Sequence, residues 1–209
     1  MASRQKGVPG SLVLPLALGL AACSPAAPQP APRPGVPARA GASSSAPPAS
    51  AASTARSQAP SRPTRPLTVP EARAYMVALI NENRARMNLP PVELDAGPAT
   101  AAGQAHADDM ARLGYLGHWG SDGSVPEQRH TEAGGVDMVL ENALCYVDER
   151  PRTLDPDARI DPVQIERAEA MFFDEVPPND GHRRNILKPT HTRVGIGIAQ
   201  PIATPTELP

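Results

Sequence analysis

The first 70 residues of this 209-residue chain contain no Asp or Glu, so all 22 acidic residues lie beyond position 70. The same stretch has no Phe, Trp or Tyr and holds 14 of the 27 prolines. A segment so composed cannot bury enough apolar surface to offset the entropy of ordering it. The remaining 139 residues match the usual size of a single domain with one core. That part carries 13 basic against 22 acidic residues, net −9, behind an overall charge of −2. Phosphate binding needs a basic face that releases counterions, so nucleic acid is set aside as a partner.

Residues 1–10 carry Arg4 and Lys6, and residues 11–22 (SLVLPLALGLAA) are apolar but too short for a permanent membrane helix. This reads as an export signal. It ends Leu20-Ala21-Ala22-Cys23, which resembles a bacterial lipoprotein lipobox, so residues 1–23 are expected to be a lipoprotein signal peptide with Cys23 as the acylated residue. The alternative is an ordinary cleavable signal and a secreted chain. Ser24, rather than Asp, resembles the pattern for the outer rather than the inner membrane. Residues 24–66, rich in Pro, Ala and Ser with five arginines, read as a disordered tether extended by proline stiffness and charge repulsion. Individual structural roles for those arginines are not expected. With Cys23 acylated, Cys145 has no intramolecular disulfide partner, and it reads as an inert core residue.

The domain is expected over residues 67–209. Thr68-Val69-Pro70-Glu71 has capping-box form, and Ala72, Tyr75, Met76, Leu79, Ile80 and Asn83 follow at helical spacing, predicting a helix to about Asn88. Asp95 before Pro98 predicts a second, with Ala102, Ala105, His106, Met110 and Leu113 inward and Gly114 as C-cap. Ser124-Val125-Pro126-Glu127 repeats the capping-box form and opens a short helix ended by Gly134-Gly135. Residues 139–147 are apolar and ambiguous. Asp161-Pro162 starts a helix with Ile165, Ala168, Met171, Phe172 and Glu175 on one face. Val194, Ile196 and Ile198 alternate with Gly195 and Gly197, a strand with one face pressed against a neighbour. Helices around a small sheet predict an α+β fold.

No H-E-x-x-H, C-x-x-C or G-x-S-x-G motif is present, so the strong local signatures of zinc peptidases, redox proteins and serine hydrolases are missing. Glu175 shares a face with Met171 and Phe172. It either reaches solvent at the helix end or lines a polar cleft, since burying an unpaired carboxylate is costly. His182 lies seven residues on, at the start of a short helix with Arg183 and Arg184, which makes a shared cleft geometrically easy. Among the other histidines, His106 reads as a hydrogen-bonded core residue, while His130 and His191 have no assigned role.

Asn81-Glu82-Asn83-Arg84, the AHADDMA run, His118 beyond it, Glu141-Asn142, FFDE, GHRRNIL and VGIGIA follow one another in an order that resembles the CAP superfamily. That superfamily unites cysteine-rich secretory proteins, venom allergens, plant pathogenesis-related proteins and many bacterial exported proteins. The resemblance implies a three-layer α-β-α sandwich with a small antiparallel sheet, and a central cleft presenting His118, Glu141, Glu175 and His182. Two imidazoles beside two carboxylates suit a loosely held divalent cation, zinc by preference.

Three departures stand out. Leu140 precedes Glu141 where the family usually has glycine, and Phe172 replaces the usual tryptophan. The domain has one cysteine where eukaryotic members have many, which resembles the bacterial branch. After VGIGIA the chain runs into residues 200–209, leaving open a sheet short of its last strand with residues 194–198 as an exposed edge. The functional expectation is an exported, membrane-anchored lipoprotein of the cell envelope, whose cleft binds a cation and an envelope, lipid or protein ligand. Two alternatives stand beside it: a metal-assisted, peptidase-like hydrolase using the same cleft, and a structural envelope lipoprotein. The first finds no third protein ligand, nucleophile or oxyanion device in the sequence.

Overall fold

The computed structural model describes residues 10–17, 60–146 and 150–202. The readings made on other residues, including acylation of Cys23 and most of the tether, lie outside these. Ten elements follow in chain order: β1 (Gly10–Ala17), α1 (Val69–Arg86), β2 (Glu93–Leu94), α2 (Pro98–Leu113), α3 (Pro126–Glu132), β3 (Val139–Glu141), β4 (Leu144–Cys145), α4 (Pro162–Phe173), α5 (Gly181–Ile186) and β5 (His191–Ala199). The fold is α+β, with one five-stranded sheet between two helical layers.

The expected capping box of α1 forms in full: Thr68 accepts from the Glu71 amide while Glu71 reaches back to the Thr68 amide at 2.9 Å. Asp95 caps α2 from upstream, its two carboxylate oxygens accepting from the amides of Gly97 and Ala99 at 3.0 and 2.8 Å. Asp161 caps α4 through the Val163 amide, and Gly114 ends α2 in the left-handed region at φ 71°. The second capping box does not form. Ser124 is instead drawn to the guanidinium of Arg129, which donates to its carbonyl at 2.8 Å, and α3 starts without a side-chain cap.

The alternation in β5 assigns its two faces. Val194, Ile196 and Ile198 are buried with Tyr75, Met76 and Ile80 of α1 and Ile165, Ala168 and Phe172 of α4 in the main core. Gly195 and Gly197 turn to α2, where an added Cβ would lie 2.1 Å from the backbone of Ala99 or Gly103. α2 also covers an edge: beyond the short β2, the amides of Ile196 and Ile198 donate to the side chains of Thr100 and Gln104 at 3.2 and 3.0 Å.

Several expectations are corrected. The sheet order is β2-β5-β1-β3 with β4 also on β1, and these ladders are parallel rather than antiparallel. β3 and β5 are joined by a stretch containing α4 and α5, a helical crossover of the kind that returns a chain in the same direction. β5 is no exposed edge, because β1 pairs along it from His191 to Ala199. β1 is itself drawn from the apolar run read as an export signal. Ala105, Leu113 and Met171 face outward; Met171 is 52% exposed, and Glu169 takes the buried place on α4. Two arginines of the expected tether are engaged after all, Arg62 with Glu166 and Arg65 with Glu71. Such solvent-exposed pairs add little to stability, because water screens them.

Candidate functional site

Glu141 ends β3 with its side chain only 2% exposed. Three groups surround it. Arg129 of α3 donates to Oε2 at 2.8 Å, His118 from the loop after α2 is hydrogen-bonded through Nδ1 to Oε1 at 2.9 Å, and His106 Nε2 lies 3.7 Å from Oε1. A carboxylate this buried is tolerated because a cation and an imidazole share its charge. His106 holds the loop in place as well, with Nε2 at 2.8 Å from the carbonyl of Gly117. Burial pushes the His106 pKa down, opposed by Glu141, so the ring is neutral and donates to that carbonyl. The hydrogen bond to Glu141 raises the His118 pKa, against partial burial.

Glu175 lies just beyond the C-cap of α4 and in front of α5. One of its oxygens accepts from the backbone amides of His182 and Arg183 at 2.8 and 3.4 Å, and the other meets His182 Nδ1 at 2.6 Å. It serves the N-terminus of α5 in the way an N-cap would, although it is seven residues upstream in sequence. Phe172 packs its ring against His182, centroids 5.0 Å apart, filling the place where the family pattern has tryptophan.

Asn142 joins the two halves. Its amide donates to the His182 carbonyl at 3.0 Å and accepts from Asn185 at 2.8 Å, tying the end of β3 to α5. His118, Glu141, Glu175 and His182 consequently line one cleft of about 410 Å³, with Asn179, Gly181, Arg184 and Asn185. All four residues named from sequence come together. Glu175 resolves as a cleft residue rather than a solvated helix end. Arg183 turns away, stacking over Phe173 at 4.2 Å, while Arg184 pairs with Asp180 at 3.3 Å.

The same geometry divides labour differently from a four-ligand set. Each carboxylate is spent on the Nδ1 of its histidine, which leaves the two Nε2 atoms as the imidazole nitrogens without a carboxylate. Carboxylate–histidine pairs of this kind orient and enrich a metal-binding imidazole from behind. Among the described residues, no group of three or more His, Cys, Asp or Glu side chains is arranged to hold a metal ion. A cation held here would rest, among the described residues, on the imidazoles of His118 and His182 with water completing its shell.

Sequence reasoning missed Arg129 and the contact of His106 with Glu141. Arg129 is one charge on a short, mostly exposed helix, and no local pattern sets it apart. His130 and His191 find structural work: His130 Nε2 meets Asp137 at 2.9 Å, and His191 Nδ1 lies 3.1 Å from the Asn185 carbonyl.

No curated protein and no solved structure matches the chain. A family model described as the cysteine-rich secretory protein family, CAP, matches residues 77–201, which run from the middle of α1 past the end of β5 and include every residue of the cleft. The chain belongs to the CAP family.

Proposed function

We propose that this is an exported CAP-domain protein, tethered to the bacterial envelope through lipid on Cys23, whose cleft binds a divalent cation through His118 and His182 and thereby engages an envelope or extracellular ligand. The single observation behind the cleft reading is the paired arrangement: two imidazoles in one cleft, each held at Nδ1 by its own carboxylate. When bound, zinc would supply a Lewis-acidic centre that an anionic or carbonyl-bearing ligand can approach. The chain's own contribution is to fix both tautomers through Glu141 and Glu175, and to brace Glu141 with Arg129. The description of the family as secretory agrees with export.

A binding role is favoured over the hydrolase reading by the state of the carboxylates. A general base must be aimed at the water whose proton it takes, not at donors of the protein itself. Both oxygens of Glu141 and both of Glu175 already accept hydrogen bonds. Zinc titration by calorimetry tests the proposal: one ion should bind per chain, and His118→Ala with His182→Ala should abolish the heat. Unchanged binding in that double variant would overturn the assignment. Labelling with a fatty-acid analogue that is lost in Cys23→Ser tests the anchor separately.

A further inference from the structure

A second cavity of about 410 Å³ lies between α2, α3 and the loop that joins them. It falls within the size range of small-ligand pockets, about 300–1,000 Å³. None of the four cleft residues lines it. Two residues that do, His106 and Arg129, stand between the two spaces, because they also reach Glu141 at 3.7 and 2.8 Å.

Both carry an unfinished hydrogen bond. The His106 side chain is 0% exposed, and its Nε2 donates to the Gly117 carbonyl, which makes Nδ1 an acceptor. That nitrogen is buried and has no partner. Arg129 donates through its two terminal nitrogens to Ser124, His118 and Glu141, yet its Nε is buried without an acceptor. Native chains leave few buried polar atoms unmatched, so two beside one cavity mark a wall that a ligand would complete. Both nitrogens are occluded, and a hydroxyl meets them after a side-chain adjustment of the kind common on binding. A hydroxyl suits both, since it donates to one and accepts from the other.

The rest of the lining selects charge and shape. Asp109 is committed, accepting from the Tyr115 hydroxyl and from the amide and hydroxyl of Ser121. Asp122 and Glu132 are less so: Oδ1 accepts from the Ser124 amide at 2.9 Å and Oε1 from the Gln128 amide at 2.8 Å, which leaves Oδ2 and Oε2 for a cation. Arg129, the one basic side chain of the lining, is already paired with Glu141, so the cavity is net negative. Ala101, Ala102, Ala105 and Ala133 supply a low apolar wall.

We propose that this cavity is a second binding site, for a small hydroxylated amine. Its ammonium is held by Asp122 and Glu132, its carbon skeleton lies on the alanines, and its hydroxyls turn to His106 and Arg129. A neutral polyol would leave the carboxylates unmatched, and a plain alkylammonium would bring nothing to the two inner nitrogens. An amino sugar and an ethanolamine headgroup share this chemistry. The site stands independently of the cation reading, because it uses neither His118 nor His182.

NMR titration of the full chain, buffered slightly below neutrality so that the amines are protonated, uses glucosamine and ethanolamine as probes. At least one should saturate with a dissociation constant of about 1 mM or tighter, and the tighter of the two names the source. Its N-acetylated form, which lacks the charge, should bind at least about tenfold more weakly. The Nδ1 resonance of His106 should move along the same saturation curve. Ala105→Leu, from an exposed position on α2, fills the cavity and should abolish binding while circular dichroism shows the fold intact. Ala101→Leu, likewise exposed, serves if that variant does not fold. The His118→Ala, His182→Ala double variant should bind the amine as the wild type does. The proposal is overturned if neither amine saturates, if binding survives a folded leucine variant, or if the acetylated probe binds equally. A still His106 resonance at saturation also overturns it, and so does loss of binding in the double histidine variant, which would place the amine in the cleft.

Discussion

Arg84 is the most consequential single side chain in the domain for stability. It is 0% exposed, and its guanidinium donates to four backbone carbonyls: Pro90 at 2.9 Å, Ile186 at 2.6 Å, Lys188 at 3.2 Å and His191 at 3.2 Å. One side chain on α1 thus gathers the loop after α1, the end of α5 and the start of β5. Replacing it with Met keeps most of the aliphatic stem and leaves those carbonyls without this donor. An orphaned buried acceptor costs about 1–3 kcal/mol. The sum is offset because a guanidinium no longer has to be desolvated, a penalty of several kcal/mol that also lowers the Arg84 pKa. A net loss of about 3–5 kcal/mol follows, as for other broken buried networks. Domains of this size have about 5–15 kcal/mol in total. Urea unfolding followed by circular dichroism should show the midpoint falling with an unchanged slope. Arg84→Lys retains a charge but only three N–H donors on one nitrogen, and should recover part of the loss. A Met variant within about 0.5 kcal/mol of wild type, or a Lys variant equal to it, would refute the pinning role.

Glu175→Gln should weaken zinc binding about 10- to 100-fold while leaving its stoichiometry intact, because it removes the group behind one imidazole; calorimetry reads both. Gly197→Ala forces a Cβ against the backbone of Gly103 and should destabilise by about 1–3 kcal/mol in thermal unfolding, more than Gly117→Ala, where nothing lies within 4 Å. The raised His118 pKa means that folding favours the protonated ring. Its stabilising effect is fully present below the unfolded value of 6.5 and is lost as pH rises through the higher folded value. An NMR titration of His118 should consequently shift downward in Glu141→Gln, and zinc binding to the wild type should strengthen as pH rises through that window. Glu169 is the opposite of a salt-bridged acid: burial raises its pKa, despite the Asn83 amide at 2.6 Å. Glu169→Gln should gain stability relative to wild type as pH climbs above 4.5, and the advantage should disappear in acid.

What could be read from the sequence was whatever local physics writes into neighbouring residues. Thr68 with Glu71, Asp95 before Pro98 and Asp161 before Pro162 each announce a helix start because the cap and its amides lie within a few residues. Gly195 and Gly197 announce close packing because their missing Cβ atoms leave no other reading of a β-branched alternation. The four cleft residues were legible through an ordered series of motifs, and the Glu175–His182 pair through its spacing as well. Failures came where partners are distant. Ser124 and Glu127 have the form of a capping box, but Arg129 takes Ser124 for another purpose. Met171 has core chemistry at helical spacing, yet Asn83 on α1 draws Glu169 inward and rotates the buried stripe of α4. Strand direction and the central place of β1 are properties of the chain's path, and no window of ten residues contains them.

Glu175 spends one oxygen on the first amides of α5 and the other on the imidazole that α5 presents to the cleft. Helix initiation and ligand readiness are thus held by a single carboxylate. An ion that settles on His182 should tighten the first turn of α5, and one that leaves should let it fray. The backbone amides of His182 and Arg183 become a local gauge of occupancy: their exchange rates should follow the filling of the cleft, whatever ligand the cleft has evolved to hold.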